Sequence, residues 1–166
     1  MPISKPLSSM PSTKINSKLA ILIALLSLAG FLDATYLSIE HFRNVIPNCS
    51  IVHGCSTVLT SVYATIGPVP VALLGSFYYL TILVLALLYI DIKKEQFVKL
   101  LKLFTWAGLL ASVYFVFLQL FILRNICLYC MGSATTSFLL FISAHFIKYT
   151  PLVAPADTPE NLASLG

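Results

Sequence analysis

Charge is what this sequence has least of. Only 10% of its 166 residues are charged while 58% are hydrophobic, whereas soluble domains carry about 25% charged and about 45–50% apolar residues. A chain this short cannot hide such an excess in one water-soluble core, because a small domain leaves much of its surface to cover. The same shortage of charge excludes a disordered polyelectrolyte. A net charge of +4 with no basic cluster beside aromatic residues leaves nucleic acid out as a partner. There is no glycine-rich phosphate loop, no internal repeat and no low-complexity tract. Cysteine is scarce too, with four in the chain, so their spacing matters more than their number. What remains is a small polytopic membrane protein with lipid as its solvent.

A spanning helix needs about 20 predominantly apolar residues. The uncharged stretches Leu103–Leu123 and Asn125–Ile147 each supply one. A longer uncharged region after Glu40 is divided by Gly67-Pro68-Val69-Pro70, and proline favours a helix start just after it. The apolar run near the N-terminus carries only Asp33 as a charge. The expected spans are residues 18–40, 69–90, 103–123 and 126–147. They lie within a membrane domain of residues 18–148, flanked by a tail over 1–17 and a proline-containing disordered tail over 151–166. The expected fold is an all-α, integral membrane four-helix bundle. Leu28-Ala29-Gly30 offers small residues after an apolar run, as a signal peptide does, but the long leader and the apolar stretch through Ile39 fit a retained span better.

The few charges set the orientation. Lys5, Lys14, Lys18, Lys93, Lys94, Lys99, Lys102 and Lys148 fall on one side of the spans, and only Arg43 and Arg124 on the other. Basic residues mark the cytoplasmic side. Both termini are therefore expected in the cytoplasm of a plasma (inner) membrane protein, with the first and third links outside. All four cysteines then share the outer face, although the orientation was set without them. Disulfides persist in that compartment.

Cys49 and Cys55 lie in the first external link, and Cys127-Leu128-Tyr129-Cys130 opens the last span. Asn125 is the expected N-cap of that span, placing Cys127 and Cys130 at i and i+3 on one helix face. The positive end of a helix favours a thiolate. With Cys127 at the aqueous boundary and Cys130 a turn deeper, the four thiols read as a wire. A loop pair feeds an embedded pair, which feeds an acceptor dissolved in lipid. Two structural disulfides, or a four-thiolate zinc site, would use the same residues. The gap in the first pair is wide for zinc, and no metal is expected. Asp33, an ionisable group within a span, either takes a proton from the redox chemistry or bonds a neighbouring helix terminus. His53 stands two residues before Cys55, as a proton carrier or a solvated loop residue. Apolar residues at 58, 59, 62, 63 and 66 predict a short amphipathic helix over Ser56–Ile66, lying in the interface as a lid.

Taken in order, these motifs resemble the vitamin K epoxide reductase family. They are Gly54-Cys55-Ser56, the interfacial segment, Gly67-Pro68-Val69-Pro70 leading to Leu74-Gly75-Ser76-Phe77-Tyr78-Tyr79, and the late Cys127-Leu128-Tyr129-Cys130. The other bacterial four-helix disulfide-forming family carries its Cys-x-x-Cys in the first external link instead. The resemblance implies a four-helix bundle enclosing a quinone of menaquinone, ubiquinone or vitamin K type. It implies that Cys49 exchanges with an extracytoplasmic thioredoxin-like partner, Cys55 relays to Cys127, and Cys130 stands beside the quinone. Ser56 matches a serine near the ring pocket, and Phe77, Tyr78 and Tyr114 are further candidates for its wall. Animal members carry Asn where this chain has Val71 and Tyr where it has Ala134, which points from an epoxide toward a quinone as acceptor. Many bacterial members add a fifth span and a fused thioredoxin-like domain; ending after four spans, this chain is expected to use a separate partner.

Overall fold

The computed structural model describes residues 17–47, 54–92 and 95–147. Cys49 and His53, most of both tails, and Lys93, Lys94 and Lys148 lie outside the described residues. Four long helices carry the fold: α1 (Ser17–Phe42), α3 (Val71–Ile92), α4 (Glu95–Phe117) and α5 (Leu128–Phe146). A π-helical turn, Leu118–Ile122, continues α4. Between α1 and α3 lie the short α2 (Cys55–Leu59) and a hairpin of β1 (Thr65–Ile66) and β2 (Val69–Pro70). The long helices form a closed ring, α1 packing on α3 and α5 while α4 packs on the same two.

Three helices are long and apolar enough to cross a membrane: Lys18–Phe42, Val71–Ile92 and Gln96–Ile122. Their outer surfaces carry large apolar side chains more than half exposed, among them Leu25, Leu32, Leu103 and Leu110, which suits contact with lipid. Helix α5 is not among the three, because Ser133, Thr135, Thr136 and Ser137 dilute its apolar run. Those hydroxyls are nonetheless bonded within the protein. Thr135 and Thr136 donate to the carbonyls of Met131 and Gly132, while Ser133 and Ser137 meet Tyr79.

Lipid gives apolar helices no reason to associate, so close approach and internal hydrogen bonds hold such a bundle together. Adjacent tyrosines on α3 illustrate both. The Tyr79 ring fills the notch at Gly30 on α1, where an added Cβ would lie 2.5 Å from the ring. Its hydroxyl donates to the Ser133 carbonyl at 2.7 Å and stands 2.8 Å from Ser137 Oγ on α5. Tyr78 reaches the other way, its hydroxyl against Gly108 of α4, where a Cβ would collide with it. Thr35 and Ser76 add a 2.8 Å bond between α1 and α3.

The ends of the helices aim the connecting segments. Asn44 adopts φ 55°, and the N–H groups of Val45 and Asn44 donate to the carbonyls of Glu40 and His41. This is the two-bond termination that a left-handed residue allows. The lid departs from the expected single helix over Ser56–Ile66. It is helical only from Cys55 to Leu59. Thr60 and Ser61 then bond back through their hydroxyls to the Ser56 and Val58 carbonyls, and the chain turns into the hairpin. Gly67 supplies the φ of 61° that a two-residue hairpin turn needs at its first central position. Val69 and Pro70 pair with Ile66 and Thr65, so α3 begins at Val71, two residues beyond the expected start of span two.

Candidate active site

The site forms where α2 meets the start of α5. Gly54 makes the meeting possible, since a Cβ there would lie 2.6 Å from the Ile126 carbonyl oxygen and 2.8 Å from its nitrogen. Backbone thus lies on backbone, and Cys55 and Cys127 are brought into one buried cluster with Val58, packed by Leu59, Leu123, Tyr129 and Cys130. Cys55 and Cys127 are 1% and 0% exposed. Cys55 is disulfide-bonded, while Cys127 and Cys130 are free.

Helix α5 starts differently from expectation. Asn125 is not its cap. The Asn125 N–H donates to the Gln119 carbonyl at 3.1 Å and its Nδ2 to the Leu123 carbonyl at 2.9 Å, so it closes the end of the preceding helix. Arg124, at φ 50°, makes the turn. The N-cap is Cys127, extended at φ −96° and ψ 120°, with its carbonyl accepting the first helical bond from the Met131 N–H. The i, i+3 spacing therefore joins an N-cap to the third helical residue. Their thiols are hydrogen-bonded to each other, and the Cys127 sulfur faces the N–H groups of Tyr129 and Cys130.

The two thiols look in different directions. Cys127 belongs to the Cys55 cluster and Cys130 to the wall of a cavity of about 630 Å³. Ala34 and Leu37 of α1, Val71 and Gly75 of α3, Ala107 and Ala111 of α4 and Ala134 of α5 supply apolar wall. Tyr78, Tyr79, Gln119, Ser133 and Ser137 supply polar groups, and Val58, Leu59, Tyr63 and Ile66 come from the lid segment. A mostly apolar space of this size with a few polar groups suits a small, largely apolar ligand. Val71 and Ala134 line it without a polar side-chain atom.

Of the four residues expected at a ring pocket, the cavity wall contains Tyr78. Phe77 and Tyr114 are 60% and 53% exposed on the outer surface, being the neighbours in sequence of inward-facing Tyr78 and Phe115. Ser56 is exposed on α2, because the helix turns Cys55 and Val58 inward instead. Asp33 lies outside the cavity wall yet interacts electrostatically with Cys127 and Cys130. Its Oδ2 is buried with no hydrogen-bond partner, so that oxygen does not bond a helix terminus among the described residues. No group of three or more metal-ligating side chains gathers among the described residues.

One residue escaped the sequence reading. Gln119, 2% exposed, accepts the Cys127 N–H at 2.9 Å through Oε1. A lone carboxamide in the apolar run Leu103–Leu123, eight residues before Cys127, was the available signal. The π-helical turn that carries it is of a kind often found at functional sites.

The sequence profile of the vitamin K epoxide reductase family matches residues 21–145, a stretch holding every described residue of this site. No curated protein matches the chain at a significant level.

Proposed function

Because the chain belongs to the vitamin K epoxide reductase family, we propose that it is a quinone-dependent disulfide oxidase supporting disulfide formation outside the cytoplasm. On this reading α5 is a fourth span, and the lysine distribution argues for both termini in the cytoplasm and the cysteines on the outer face. A thioredoxin-like protein in its dithiol form reduces the Cys49–Cys55 disulfide through a mixed disulfide with Cys49. The Cys55 thiolate then attacks Cys127 of an oxidised Cys127–Cys130 pair and releases the Cys130 thiolate. Cys49 resolves the Cys55–Cys127 bond and restores the loop disulfide. That leaves the loop disulfide and two free thiols at Cys127 and Cys130.

A quinone held in the cavity takes up two electrons and two protons as the Cys127–Cys130 disulfide re-forms. The net exchange converts partner dithiol and quinone into partner disulfide and quinol. Cys130 presents sulfur to the cavity, the lid segment and the apolar wall exclude water, and Asp33 is the carboxyl placed to carry protons past the thiols. His53 is a second candidate carrier on the outer side. Exchange rates depend on the thiolate fraction and on the acidity of the leaving thiol, which the N-terminal end of α5 favours at Cys127.

One observation carries the reading: Cys127 sits in the cluster with Cys55 while Cys130, three residues on, lines the cavity. Purified protein in lipid nanodiscs, given a reduced thioredoxin-like protein and a short-chain quinone, should form quinol. Cys130→Ala should abolish this, because the Cys127–Cys130 disulfide that accepts electrons from Cys55 can then no longer form. Quinol formation that survives Cys130→Ala would sink the mechanism.

A further inference from the structure

Gln119 does more in this geometry than close a helix. Its Oε1 is occupied by the Cys127 N–H at 2.9 Å, which fixes Nε2 as the other end of the carboxamide. An amide nitrogen has two N–H donors, and neither donates to a described residue. The carboxamide, on a side chain only 2% exposed, lies in the wall of the cavity that Cys130 also lines. The π-helical turn Leu118–Ile122 sets its register there.

We propose that Gln119 is a binding residue of the cavity, donating from Nε2 to a carbonyl oxygen of the ligand beside Cys130 while Oε1 holds the Cys127 backbone. The ligand chemistry rests on the quinone reading above. The donor does most as the ring is reduced, because negative charge grows on that oxygen and a preformed N–H stabilises it without reorganising. One side chain thereby ties ligand to thiol pair, since movement of the carboxamide toward the cavity loosens its hold on the Cys127 N–H.

The test uses the full chain in nanodiscs with ubiquinone-1 as acceptor and fully reduced protein as donor. Gln119→Met removes donor and acceptor together and should raise the quinone KM about tenfold. Gln119→Glu keeps an acceptor for Cys127 at every pH but offers the cavity a donor only when protonated, and a buried carboxyl stays protonated toward neutral pH. The ratio of its KM to that of the wild type should be near one at low pH and climb about tenfold as the carboxyl ionises. Should the methionine variant fail to fold, the pH-dependent ratio for the glutamate variant decides alone. A ratio of one at every pH refutes the assignment and leaves Gln119 as a support for Cys127 only. If wild-type protein forms no quinol, the quinone reading fails before any variant is compared, and the assignment falls with it.

Discussion

Replacing Gly54 with alanine puts a methyl group where two backbones already touch. The new Cβ would lie 2.6 Å from the Ile126 carbonyl oxygen. Neither side can easily give way, because Ile126 precedes a residue held by Gln119 and Gly54 opens α2, whose Val58 N–H donates to its carbonyl at 3.1 Å. Ordinary contact starts near 3.4 Å, so 3.4 less 2.6 leaves 0.8 Å to be found by separating α2 from α5. Overpacking of this kind costs about 1–3 kcal/mol, and displacing reacting groups by about 1 Å can slow a reaction about 10²-fold. Gly54→Ala should therefore slow steady-state quinol formation from a reduced partner about 10–100-fold. Single-turnover quinone reduction by fully prereduced protein should stay near the wild-type rate, since Cys130 and the cavity are untouched. Stopped-flow absorbance of the quinone separates the two steps. Unchanged steady-state turnover would refute the argument that the contact of Cys55 with Cys127 carries the electrons. An equal loss in both assays would show that the cavity, not the relay, was disturbed.

Other perturbations have equally definite outcomes. Gly108→Leu drives a side chain into the Tyr78 hydroxyl and should lower the thermal midpoint in detergent, at a cost of about 1–3 kcal/mol. Tyr79→Phe removes the hydroxyl shared with Ser133 and Ser137 and should cost about 1 kcal/mol of stability, as denaturant titration can show. Asp33→Asn keeps the shape of the side chain but removes its proton exchange, so quinol formation should fall about 10²-fold or more, while alkylation trapping shows the loop disulfide still exchanging with the partner.

The parts of this molecule legible in its sequence are those set by long-range composition. Apolar runs marked the presence of α1, α3 and α4, although α4 starts at Glu95 and takes Lys99 and Lys102 into its first turns, and the Gly67-Pro68 turn marked the break before α3. Local competition was harder to read. The i, i+3, i+4 pattern after Ser56 looked helical, but Thr60 and Ser61 supply hydroxyls that satisfy carbonyls in a turn, and periodicity does not register that alternative. Asn125 has the chemistry of an N-cap, yet the same chemistry serves to end α4, and only the position of the Arg124 turn decides between the two. The cysteine pairs were visible from spacing. The rotation of α5 against α2, which packs Cys127 with Cys55, was not. Phe77 and Tyr78 show the same limit, for neighbours on a helix point about 100° apart, and one faces the cavity while the other faces outward.

A single turn at the head of α5 divides two chemical environments. On the proposed mechanism Cys127 would exchange with protein sulfur and Cys130 would face the ligand of the apolar cavity, so neither reactant would have to fit the other's site. Specificity for the protein partner can drift in the lid and the loop pair while specificity for the acceptor drifts in the helix walls. Electrons cross the division through one short covalent step. Under the proposed function, an oxidant in the cavity and a protein dithiol at the loop pair would therefore never share a surface.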